Sequence, residues 1–125
     1  MRSGYALGSS DQSPSLGTSP GLLIYDSTTK MFEVYPNPGI KIPPGQGQRP
    51  AAVRELASHG TEVVLVRPGA LCPESYALAR QLRMRFVVLA PSQAPDALML
   101  NIPRDCVVDE LSPSIYGLQD SSNSY

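Results

Sequence analysis

The sequence predicts one small soluble α/β domain, on three observations. Residues 45–89 read as a glycine-rich turn, a helix, a strand, a helix and a strand. Before them, two short apolar runs, 22–25 and 31–35, are joined by a polar loop, which is a β-hairpin signal. The 125 residues, 42% of them hydrophobic, suit a single domain that buries its own core without metals or disulfides. The expected organisation is one domain over 1–111 and a polar, flexible tail over 112–125.

Gly4-Tyr5-Ala6-Leu7-Gly8-Ser9 reads as a first strand, its small residues suited to a central position where helices pack closely. A turn-rich loop follows to Pro20. The hairpin then alternates, placing Phe32 and Val34 on one face and Met31, Glu33 and Tyr35 on the other; one covered face and one partly exposed face suit a sheet edge. Pro36, Pro38, Pro43 and Pro44 forbid further pairing, so 37–46 is a connection, pinned to the core by Ile40 and Ile42. Pro50 suits the start of a helix, because its missing N–H has no helical partner there. Ala52, Val53, Leu56 and Ala57 fall on one face of that helix, and His59-Gly60 closes it. Val63-Val64-Leu65-Val66 is apolar throughout, as expected of a strand covered on both sides. A second helix begins at Pro73, with Tyr76, Ala79, Leu82 and Arg83 near one stripe. Phe86-Val87-Val88-Leu89 completes a β-α-β unit with parallel strands. Beyond Pro91 the pattern supports a short helix over 95–101 and a short strand or an extended packing segment at Cys106-Val107-Val108.

Composition removes several function classes. A formal net charge of -1 gives no general attraction to nucleic acid or anionic lipid. Arg80, Arg83 and Arg85 read as a solvated face. No apolar run approaches the ~20 residues of a membrane span, and residues 1–10 lack the apolar core of a signal peptide. The two cysteines, Cys72 and Cys106, have neither Cys-x-x-Cys nor zinc spacing, so free thiols in the cytoplasm are expected, with Cys106 packed among apolar neighbours. No Ser–His–Asp order, phosphate loop or carboxylate pair is present, so no enzymatic activity is expected.

Two segments attract a ligand reading. Gly45, Gln46, Gly47, Gln48 and Arg49 lead into a helix N-terminus, where free N–H groups and the helix dipole favour an anion and Arg49 adds charge. The pattern is neither a Walker loop nor a dinucleotide fingerprint, and a plain connecting turn explains it equally well. Cys72 precedes Pro73, placing a thiol at a second helix N-terminus as a nucleophile or soft-metal ligand; a small half-buried capping residue is the simpler reading. His59, at a helix stop, is read first as a residue favoured by the negative end of the dipole and second as a metal ligand.

Three stretches resemble the dinitrogenase iron–molybdenum cofactor biosynthesis family. Gly21-Leu22-Leu23-Ile24-Tyr25-Asp26 through Val34-Tyr35-Pro36-Asn37-Pro38 resembles its hairpin. Gly45-Gln46-Gly47-Gln48-Arg49 through His59-Gly60-Thr61-Glu62-Val63-Val64 resembles its glycine-rich turn, helix, His-Gly stop and strand. Pro68-Gly69-Ala70 through Tyr76-Ala77-Leu78 to Val87-Val88 resembles its next loop, helix and strand. Two segments depart from that pattern. Ser15-Leu16-Gly17-Thr18-Ser19-Pro20 stands where the family often carries His-Phe-Gly, and residues 91–113 are broken by prolines where it has a long helix. The resemblance implies a three-layer ribonuclease H-like domain with a mixed, roughly five-stranded sheet. It also implies a small accessory protein that binds or carries a molybdenum- or iron-containing sulfur cluster, or its precursor, with a protein partner in cluster assembly. Cys72 and His59 are the soft ligands near the matching segments. The alternative is a cofactor-free interaction or regulatory module of the same fold.

Overall fold

The computed structural model describes residues 1–117. Five strands form one mixed sheet: β1 (Arg2–Leu7), β2 (Gly21–Asp26), β3 (Met31–Pro36), β4 (Val63–Val66) and β5 (Arg85–Val88), in the order β3-β2-β1-β4-β5. The β1–β2 and β2–β3 pairs are antiparallel, whereas β1–β4 and β4–β5 are parallel. The mixed α/β architecture is the expected one. Gly4 and Ala6 suit the central strand β1: a Cβ on Gly4 would stand 2.7 Å from a methyl of Leu56.

Helices α1 (Gln48–Ser58) and α2 (Pro73–Gln81) follow β3 and β4. They cover one sheet face, where Leu22, Ile24, Val64, Val66 and Phe86 meet Ala52, Val53, Leu56 and Ala79. The helix α3 (Pro95–Met99) and the segment after it cover part of the other face, where Tyr5, Leu23, Tyr25, Val63, Leu65 and Val87 meet Met99, Ile102 and Val107. Residues of β4 are buried on both sides, as their unbroken apolar run requires.

The coverage ends short of β3. Phe32 and Val34 are 39% and 59% exposed, because the cluster on their face takes in residues of β1, β2, β4 and β5 but none of β3. Tyr35, on the opposite face, is the half-buried residue of this strand. Ile40 is likewise half-exposed and pins nothing. The connection is held by Asn37. Its buried amide nitrogen donates to Leu16 O (2.8 Å), Ser19 O (2.9 Å) and Ser19 Oγ (3.1 Å), and its oxygen accepts from Gly39 N (3.0 Å).

After β5 the chain makes a single antiparallel bridge, Phe86 to Val108, in place of a strand. Cys106 is exposed rather than packed. Residues 112–117, expected as the start of a flexible tail, contain a short helix, α4 (Pro113–Tyr116). Tyr116 stacks on Tyr76 with ring centroids 4.1 Å apart, and Gly69 N donates to Ile115 O (2.9 Å). Two aromatic rings outweigh the local polarity there. Residues 118–125 of that expected tail lie outside the described residues. No helix among the described residues is long and apolar enough to cross a membrane.

Asn37→Ala leaves two carbonyls and an N–H without their partner inside the fold, each costing ~1–3 kcal/mol. The expected loss, read from urea unfolding midpoints at unchanged m-value, is about 3 kcal/mol. Ile40→Ala, by contrast, stays within about 0.5 kcal/mol of wild type.

Candidate functional site

The strands β1, β3, β4 and β5 all finish at one end of the sheet, and α1 and α2 both begin there. Open α/β sheets hold their ligands at this carboxyl end. The polarity follows from the hairpin: Leu7, Gly21 and Pro36 lie side by side across β1, β2 and β3, so β3 returns to the end where β1 finished.

Here the turn before α1 and the loop before α2 come together. Gly45, Gly47, Gln48, Arg49, Pro50, Cys72 and Glu74 line one shallow cleft of about 200 Å³. Gly45 and Gly47 both have positive φ, 79° and 101°, which an L side chain rarely adopts, and a Cβ at either would face open space. Gly47 is the N-cap of α1, and no side chain caps that helix. Its first-turn N–H groups therefore keep their polarity for whatever enters the cleft. Gln46, the other residue of the turn, is exposed, and its N–H bonds to Pro43 O (3.1 Å).

Arg49 does not reach out to an anion. Its Nε and Nη2 donate to Ala70 O (3.2 Å) and Gly69 O (3.3 Å), so the guanidinium ties the two cleft-forming loops together. Cys72 is the N-cap of α2. Its half-buried thiol accepts from Ser75 N (3.5 Å) and lies 3.2 Å from Ser75 Oγ, while Cys72 N donates back to that hydroxyl (2.9 Å). This reciprocal pair is a capping box with sulfur in the usual place of oxygen.

His59 lies at the far end of α1. At ~1.5 Å per residue the 11 residues of that helix span roughly 16 Å, which keeps the imidazole away from Cys72. It stacks on Tyr35 at 3.7 Å, and its Nε2 lies 2.9 Å from Glu55 Oε2. Among the described residues, no three His, Cys, Asp or Glu side chains gather closely enough to hold a metal ion. The paired soft-ligand set of Cys72 and His59 is thus not assembled by the fold.

Around His59 lies a charged cluster at the protein surface. Arg2 bridges Asp26 (3.0 Å) and Glu33 (2.8 Å), and Tyr35 donates to Glu33 (2.9 Å). Glu33 is held below the usual carboxylate range, first by the Tyr35 hydroxyl and then by Arg2. Asp26 is lowered as well, chiefly by the N–H of Thr28. The same bond to Glu33 raises Tyr35 above the ordinary phenol value. The basic cluster at Arg80, Arg83 and Arg85 is partly neutralised: Arg80 donates to Asp109 O and lies 3.7 Å from Glu110.

Sequence reasoning missed Arg67. It follows β4 and is 6% exposed. Nε donates to the Tyr5 hydroxyl (3.3 Å), Nη1 to Asp11 Oδ1 (3.0 Å) and Nη2 to Gln93 O (3.1 Å). In the sequence, Arg67-Pro68-Gly69 reads as a strand stop, and nothing local signals that the charge turns inward.

The fold and this cleft define a small α/β domain with its loops gathered at the carboxyl end of a mixed five-stranded sheet. No family model matches the chain, and no curated protein matches it. Among solved structures, it is similar to the apo form of the orange protein (ORP) from Desulfovibrio gigas. The TM-score is 0.64 at 17% identity, over 81% of this chain and 80% of that one. At such identity the likeness is one of fold.

The lowered carboxylates set a pH dependence. A carboxyl group whose pKa is lower folded than unfolded stabilises the fold fully above its unfolded value, and that contribution disappears as pH falls through the folded value. The melting-temperature gap between wild type and Glu33→Gln is expected to be largest near neutral pH. It narrows as pH drops below the usual carboxylate range of about 4, as thermal unfolding across pH 7 to 2 will show.

Proposed function

We propose that this protein is a small carrier that takes up an anionic metal–sulfur cluster or cluster precursor, of the iron–molybdenum kind, at the cleft between α1 and α2. The observation that carries this reading is the convergence there of one thiol, Cys72, with two helix N-termini and the bare backbone of Gly45 and Gly47. A sulfide-rich cluster is anionic and soft. Helix N-termini favour the anion, and a thiolate is the protein ligand that matches molybdenum, iron or copper bound to sulfur. The resemblance to the dinitrogenase iron–molybdenum cofactor biosynthesis family supports the same class of cargo.

The donor set fits loose carriage rather than permanent chelation. A single thiol makes one covalent attachment, and the remaining contacts are backbone N–H groups and the helix dipoles. Cys72 must exchange its bonds with Ser75 for the cargo, which favours release to a partner protein. On this reading Cys72 holds cargo rather than acting as a nucleophile, and His59 lies at the other end of α1 from it. A cofactor-free interaction module is the second reading, favoured by the exposed apolar side chains of Met31, Phe32 and Val34 on the sheet-edge strand β3. Co-purification from the native host tests it, and a clean monomer without a partner counts against it.

Reconstitution with iron and sulfide, or with tetrathiomolybdate, followed by desalting and absorption spectroscopy, tests the carrier reading. Wild type is expected to retain a coloured, metal-containing species near one equivalent. Cys72→Ala retains several-fold less, while Cys106→Ala matches wild type. Metal at background level in wild type, or an unchanged Cys72→Ala, overturns the reading.

A further inference from the structure

A second cleft lies at the carboxyl end of the sheet, on the α3 side. It has a volume of about 230 Å³ and is lined by Asp11, Arg67, Pro68, Leu89 and Pro91. Arg67 forms its charged floor. The guanidinium is anchored from within, by the Tyr5 hydroxyl of β1 and by the carbonyl of Gln93, and its carbon lies 5.8 Å from the centre of the Tyr5 ring. The hydroxyl is in turn locked by Ser9, donating to Ser9 O (3.0 Å) and accepting from Ser9 Oγ (2.8 Å). The cation is therefore a fixed part of the sheet end, whether or not a carboxylate faces it.

Its counter-charge is built differently. Asp11 belongs to the loop between β1 and β2, and its side chain is 36% exposed against 7% for Arg67. One oxygen accepts from Arg67 Nη1 (3.0 Å) and the other from Ser92 N (2.8 Å). Ser92 has a φ of 61°, the left-handed conformation that non-glycine residues seldom take. The carboxylate thus bridges a buried arginine and a backbone N–H from the outside, as a bound anion would. A buried charge needs an opposite partner, and a partner on a surface loop is exchangeable. An ion pair serving stability alone needs no open space beside it, yet an apolar cavity walled by Pro68, Leu89 and Pro91 adjoins this one. The site also sits beside the β1–β4 junction, where the chain direction of successive connections reverses, the usual ligand crevice of open α/β sheets.

We propose that the Arg67 cleft binds a small carboxylate carried on an apolar body, and that Asp11 is the built-in occupant which such a ligand displaces. The ligand's carboxylate takes over both bonds that Asp11 makes, to Arg67 Nη1 and to Ser92 N, while its apolar part lies against Leu89 and Pro91. Asp11 turns out to water. The cavity is smaller than the ~300 Å³ lower bound of drug-sized pockets, so the body is no larger than a single ring or a short alkyl chain. This site is separate from the Cys72 cleft and does not depend on the carrier reading.

Benzoate serves as the probe, titrated into the intact protein at neutral pH while backbone amide NMR shifts and melting temperature are followed. Asp11→Ala removes the internal competitor at an exposed position. It is expected to bind benzoate at least tenfold more tightly than wild type, with the largest shifts at Ser92 and Gln93 and a saturable rise in melting temperature. Neutral benzamide gives neither effect, and inorganic phosphate binds more weakly because it leaves the apolar wall uncovered. Arg67→Gln in the Asp11→Ala background abolishes binding; if that variant does not fold, Arg67→Lys, which keeps the charge but loses the fork, weakens it. Cys72→Ala leaves benzoate binding unchanged. The proposal is overturned if Asp11→Ala gains no affinity, if benzamide or phosphate binds as well as benzoate, or if binding ignores Arg67.

Discussion

The buried amide of Asn37 is the interaction on which the ligand-facing end of this protein depends. Two connections that contain no strand or α-helix, residues 8–20 and 37–47, must lie against each other above the sheet. Their polar backbone then needs partners away from water. Asn37 supplies them, bonding to Leu16, Ser19 and Gly39 at once. The approach is so close that side chains are excluded. A Cβ at Gly39 would lie 2.6 Å from the carbonyl oxygens of Gln48 and Gly17, and one at Gly17 would lie 2.7 Å from Arg49 N. The start of α1, and with it one wall of the Cys72 cleft, is positioned by this knot.

From that constraint follows a division between the two ends of the sheet. At the carboxyl end, Arg49 binds the loop of Gly69 and Ala70, and Arg67 binds the loops of Asp11 and Gln93. Two arginines thus organise two clefts, one on each side of the sheet. At the opposite end, Arg2 gathers Asp26 and Glu33 into a surface cluster next to Tyr35 and His59. Both ends are rich in charge. The first combines it with a thiol, the bare backbone of Gly45 and Gly47 and the N-termini of α1 and α2.

Much of this architecture was legible because it is encoded locally. The run Val63 to Val66 has no polar face, so it had to be a strand covered on both sides. Pro50 and Gly60 bracket α1, although the helix begins two residues earlier, at Gln48. Cys72 before Pro73 marked a helix cap, and the structure makes it one. The site was legible only in part. The turn 45–49 and Cys72 were singled out separately, and their meeting in one cleft depends on two loops that are 20 or more residues apart. His59 was grouped with Cys72 because both lie near the segments resembling the same family. The length of α1 separates them.

Alternation along β3 correctly sorted its side chains into two faces, but it did not say which face would be covered. That was decided by where residues 95–108 came to rest. The same holds for Tyr116, whose polar neighbours suggest a tail and whose ring finds Tyr76. Arg67 is the clearest case: its charge is turned inward by Tyr5, Asp11 and Gln93, all more than 25 residues away in sequence. Periodicity, proline and glycine act over a few residues, so the sequence by itself determined the strands, the two main helices and the mixed sheet. Counter-charges, covering layers and clefts are assembled from distant segments, and for those only the tertiary structure could decide.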